Sequence, residues 1–70
     1  MTAVAFLYAR NAEIIRSCDR DGARRWSIEV VAPDGSRETV AERSDVRSIL
    51  ADALALERQG FHVSRAGLAR

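Results

Sequence analysis

The 70-residue sequence has no lysine, one cysteine, one histidine and one proline. A single cysteine rules out an internal disulfide framework, and Cys18 with His62 is too small a set of soft ligands for zinc, so neither a metal nor another cofactor is expected. A lone thiol fits a reducing compartment, and a cytoplasmic location is expected. No apolar run approaches the roughly 18 residues of a membrane span, so a membrane is not expected as a partner. The run AVAFLYA at positions 3 to 9 lacks a preceding basic residue and makes a poor signal peptide. No glycine-rich phosphate loop is present either, because Asp21-Gly22 and Asp34-Gly35 read as hairpin turns.

With lysine absent, all eleven cations are arginine, and alanine is also abundant at twelve residues. Both residues have GC-rich codons, so a high-GC bacterial genome accounts for the bias without any binding function. Ten acids leave a net charge of +1, which gives no field strong enough to argue for nucleic acid by itself. A chain of this length forms one domain and buries only about 60% of the surface its unfolded form exposes, so its stability is expected to be marginal.

The most readable stretch runs from Arg24 to Glu42. Trp26, Ile28 and Val30 alternate with Arg25, Ser27 and Glu29, the period of a strand with one wet face. Pro33-Asp34-Gly35 follows: proline presets the turn, aspartate tolerates its middle and glycine supplies a positive φ, giving a three-residue loop between Ala32 and Ser36. That loop sets Val31 opposite Arg37, Glu29 opposite Thr39 and Ile28 opposite Val40. Glu13 to Cys18 reads as a preceding strand, joined by a two-residue Asp21-Gly22 turn closed between Arg20 and Ala23. This register sets Cys18 opposite Arg25 and Ile15 opposite Ile28, so that Ile15, Ile28 and Val40 form one row beside Trp26.

Ser44 is a plausible helix N-cap, Asp45 adds negative charge to the first turn, and Gly60 stands where a left-handed C-terminal cap belongs. Between them Val46, Ile49, Leu50, Ala53, Leu54 and Leu56 form an apolar stripe, with Arg47, Ser48, Ala51, Asp52, Ala55, Arg58 and Gln59 facing away. Glu57 falls within the stripe and is expected to project past the sheet edge into water. Phe61 to Ser64 alternates as a fourth strand, with Phe61 and Val63 inward and His62 outward.

The expectation is an α+β fold: a three- to four-stranded antiparallel sheet in the order β-β-β-α-β with one helix packed on one face. Residues 13 to 64 form the domain and 65 to 70 a frayed tail. The order of residues 1 to 12 stays open, with packing on the domain or on another copy expected of their apolar side chains.

No nucleophile or acid has a base at a spacing that suggests catalysis. His62 reads as solvated, Cys18 as an isolated thiol, and Asp19, Asp21 and Asp34 as turn residues. The protein is expected to be non-enzymatic and to act by binding an unknown protein or a second copy of itself, through residues 3 to 9 or an edge strand. The wet sheet face, carrying Arg16, Arg25, Glu29 and Arg37, is the expected contact surface. Three strands and a helix, with a Trp26-led second strand and the Pro33-Asp34-Gly35 turn, resemble in layout the AP2-type DNA-binding domains and the arm-binding domains of phage integrases over residues 13 to 60. The resemblance implies a sheet laid in the DNA major groove as the alternative function, and it assigns no functional residue. Glu29 within that face, with Glu38 and Glu42 close by, works against phosphates.

Overall fold

Two reversals of the same kind organise the sheet. The computed structural model describes residues 9–69, so the part of the apolar N-terminal run at positions 3 to 8 lies outside the described residues. Strands β1 (Asn11–Cys18), β2 (Arg24–Val31) and β3 (Arg37–Arg43) are followed by helix α1 (Val46–Arg58), strand β4 (His62–Ser64) and a 3-10 turn at Ala66–Ala69. The sheet order is β3-β2-β1-β4, with β4 parallel to β1 and the other neighbours antiparallel. The chain is therefore α+β, a four-stranded and mostly antiparallel sheet with one helix packed on it.

The second hairpin closes as expected. Ala32 donates its N–H to the Ser36 carbonyl at 2.8 Å, Gly35 donates to the Ala32 carbonyl at 2.9 Å, and Gly35 has φ 90°. The first hairpin does not form the expected two-residue turn. It uses a three-residue loop, Arg20-Asp21-Gly22, with Asp19 donating to the Ala23 carbonyl at 3.0 Å and Gly22 at φ 82°. Asp19 explains the difference, because its Oδ1 accepts the N–H groups of Asp21 at 2.9 Å and Ala23 at 3.0 Å and so holds the longer loop.

One residue of slip turns every β1 side chain to the opposite face. Ile14, not Ile15, lies opposite Ile28; Glu13 lies opposite Glu29, Arg16 opposite Trp26 and Cys18 opposite Arg24. The expected row is corrected at its other end too. A bulge pairs Ile28 with Ala41 and Glu29 with Thr39, so Val40 drops out of the ladder and is 47% exposed. Without that bulge Arg43 would fall beside Arg25. With it, Arg43 lies opposite Trp26 on the helix side, where its Nε donates to Asp52 of α1 at 2.8 Å.

Ile14, Ile28 and Ile49 are the large side chains most fully buried, joined by Trp26, Val30, Val63, Ala9, Ala12 and Ala53. The helix buries a narrower line than the sequence stripe suggests: Ile49 and Ala53 are buried, Leu50 and Leu56 pack partly, and Leu54 is 50% exposed. The small Ala41 and the Arg43 to Asp52 pair draw this helix toward β3, and Asp52, expected to face away, lies half-buried between them.

Asp45, not Ser44, is the N-cap. Its backbone is extended, and its carboxylate accepts the Ser48 N–H and the Ser48 hydroxyl, both at 2.9 Å. At the other end Gly60, at φ 100°, donates to the Glu57 carbonyl while Phe61 donates to that of Leu56, the paired bonds of a glycine-terminated helix. Glu57 does not project into water: Arg65 grips its carboxylate through Nη2 at 2.8 Å and Nη1 at 2.9 Å, holding the chain after β4 against the helix end. The segment beyond, expected to fray, forms the 3-10 turn, and its Leu68 packs on the core.

These caps make stability depend on acid. Hydrogen bonds from Ser48 hold the Asp45 carboxyl below its ordinary 3.8, and Arg65 holds Glu57 below its ordinary 4.5. As pH falls past those values the unfolded chain takes up protons first, so the contribution of each carboxylate is lost on the way down through its folded value. Thermal melts should therefore show the midpoint falling below about pH 4.5. Asp45→Asn, which keeps a cap without a charge, should flatten part of that fall.

Candidate interaction surface

Helix α1 covers one side of the sheet and leaves the other open. By strand alternation the open, outer face carries Glu13 and Ile15 from β1, Arg25, Ser27, Glu29 and Val31 from β2, and Arg37, Thr39 and Glu42 from β3. Three of the four residues expected to form a contact surface, Arg25, Glu29 and Arg37, do share this face. Arg16 does not: the corrected first turn sets it beside Trp26 on the helix side. Glu13 takes its place, directly opposite Glu29.

Two carboxylates facing each other across neighbouring strands repel, and Arg37 resolves the conflict. Its guanidinium reaches across the sheet, Nη1 donating to Glu29 Oε1 at 3.0 Å and Nη2 to Glu13 Oε1. The hydrogen bonds it donates to Glu29 and then Glu13 raise its already high pKa further. Arg25 lies 3.8 Å from the Glu42 carboxylate on the same face. The charges here are thus matched in place, three acids to two arginines, around the half-buried aliphatic side chains of Ile15 and Val31.

The sheet edges are poorer surfaces for strand addition. β3 is interrupted by the Val40 bulge and carries Arg37, Glu38, Glu42 and Arg43, while β4 pairs over only three residues. Such features blunt an edge.

Two shallow clefts flank the fold. One of about 230 Å³ lies between β1 and the 3-10 turn, lined by Glu13, Ile14, Ile15, Arg16, Ala66 and Gly67. The other, of about 460 Å³, lies between β3 and α1 and includes Val40, Leu56, Arg43 and Asp52. Their ionisable groups are largely engaged: Arg37 holds Glu13, and Arg43 and Asp52 hold each other.

Cys18 and His62 stand far apart. His62 neighbours Asn11 at the start of β1, whereas Cys18 ends that strand, a separation of roughly 23 Å along the chain. Among the described residues no group of three or more His, Cys, Asp or Glu side chains is placed to hold a metal ion, and no helix is long and apolar enough to cross a membrane.

No protein-family model matches the chain, and no curated protein or solved structure matches it.

The residue that sequence reasoning missed is Glu13. The signal was present in Asp19, whose side chain could bond the turn ahead of it and lengthen the loop.

Proposed function

We propose that this chain is a small, non-enzymatic bacterial module of the cytoplasm that binds protein or a second copy of itself, and that it does so through the outer face of its sheet. The observation that carries this reading is the open face itself, where Ile15 and Val31 stand among charges already matched to one another. Desolvating such a face costs less than desolvating isolated charges, because its ion pairs persist within the interface. Protein surfaces of mixed composition meet that requirement. A polyphosphate does not: it would have to compete with Glu13, Glu29 and Glu42 for Arg25 and Arg37, which weakens the alternative of a sheet face laid on DNA.

Sedimentation velocity from low to high micromolar concentration tests the self-associating form. The expected result is a dimer whose formation changes little with salt and is lost in Ile15→Glu, which stays folded but melts at a midpoint that no longer rises with concentration. A monomer mass for the unaltered protein at high micromolar concentration would dispose of self-association. A dimer that survives both Ile15→Glu and Val31→Glu would move the interface to another surface.

A further inference from the structure

The β1–β2 hairpin extends past the last pairing of β3, Trp26 with Arg43, and Arg16 at its base lines the cleft beside the 3-10 turn. Every residue from Arg16 to Arg24 is exposed, although the ladder continues through Arg16 with Trp26, Ser17 with Arg25 and Cys18 with Arg24 to the closing turn. Beyond the Arg16–Trp26 pair the result is a two-stranded ribbon, held in shape by its own hydrogen bonds, whose residues from Ser17 to Arg24 are all exposed.

Its charge is unlike that of the outer sheet face. Arg16 and Arg24 lie on the helix-facing side of the hairpin as diagonal neighbours, Arg16 opposite Trp26 and Arg24 opposite Cys18, and Arg20 stands in the loop. Among the described residues none of the three has an ion-pair partner, nor have Arg47 and Arg58 of α1, whereas Arg25, Arg43 and Arg65 each have one and Arg37 has two. Of the two acids in the ribbon, Asp19 has its carboxylate turned into the loop by two backbone N–H groups, and Asp21 sits at the bend. Arg47, exposed in the first turn of α1, adds a cation at the same end of the molecule, near the capping Asp45. Free guanidinia on an uncovered ribbon are a surface that an anionic polymer completes.

We infer that Arg16 to Arg24 is an arm that enters the major groove of duplex DNA, with Arg16, Arg20 and Arg24 meeting phosphates or base edges. The groove of B-form DNA, about 12 Å wide, admits a two-stranded ribbon. The deep, narrow major groove of A-form RNA does not. This surface is separate from the outer face and does not depend on what binds there.

The test is fluorescence anisotropy of the full chain with a labelled mixed-sequence DNA duplex and an RNA duplex of the same length. Three phosphate contacts give a slope of about −2.7 in log K against log salt, so affinity should fall about 40-fold between about 50 and about 200 mM salt. R16Q/R20Q/R24Q should abolish binding while keeping the wild-type melting curve, and R25Q/R37Q should retain it. If the triple variant fails to fold, Arg20→Gln alone, in the exposed loop, should reduce the slope by about one. Absence of binding at low salt overturns the inference. So does equal affinity for the RNA duplex, or binding lost in R25Q/R37Q but kept in the arm variant.

Discussion

Replacing Ile28 with alanine should remove about 2 to 5 kcal/mol of stability, the range for truncating a large buried aliphatic side chain. Ile28 is 0% exposed and sits between Ile14 of β1 and Ala41 of β3 beneath the helix. A 70-residue domain commands roughly 4 to 10 kcal/mol in total, so this one change should bring the protein close to its unfolding midpoint at body temperature. Urea titration followed by the fluorescence of Trp26, the sole tryptophan, reads the loss directly. The neighbouring isoleucines sharpen the test. Ile14→Ala should cost about as much as Ile28→Ala, whereas the half-buried Ile15 on the open face should cost within about 1 kcal/mol. The reverse order would place Ile15 beneath the helix and undo the register on which the outer face is built.

That comparison also marks where the sequence is legible and where it is not. The alternation of β2, the Pro33-Asp34-Gly35 loop, the Gly60 cap and the inward Val63 are local signals, each set by the chemistry of a few adjacent residues, and each is found in the structure. The first turn is also local, yet the same Asp-Gly pair reads as a two-residue loop there and as part of a three-residue loop in the second hairpin. The deciding group, the Asp19 carboxylate, lies two residues upstream of the pair. The Val40 bulge has no such local sign. It accompanies the pairing of Arg43 with Asp52, a partner known only once the helix is in place.

The contact surface divides along the same line. Arg25, Glu29 and Arg37 were readable together because β2 and the second hairpin were readable. Arg16 and Glu13 exchanged places because β1 inherits its face from the first turn. A face of three expected arginines becomes a face of two arginines and three acids. The gain of Glu13 and the loss of Arg16 leave a face balanced within itself, and Arg16, Arg20 and Arg24 stand on the hairpin instead.

Gly67→Ala should loosen the C-terminal turn from the sheet. Space, not backbone conformation, requires glycine here: a Cβ at this position would stand 2.1 Å from the Ile14 carbonyl oxygen and 3.1 Å from its carbonyl carbon. Backbone atoms of a central strand cannot retreat as a flexible side chain would, so the turn must lift. Lifting it withdraws Leu68 from the core and strains the Arg65 to Glu57 pair that precedes it. The expected cost is about 1 to 3 kcal/mol, as for other carbons forced into a filled contact, with faster tryptic cleavage after Arg65 than in the unaltered protein. Gly22→Ala and Gly35→Ala are the controls. Nothing lies within 4 Å of a Cβ at either position, so they carry only the cost of a positive φ and should leave Arg65 protected. An unchanged melting midpoint and unchanged cleavage for Gly67→Ala would mean that the turn does not rest on β1. The cleft between them, with Glu13 and Arg16 on its wall, would then be open along its whole length.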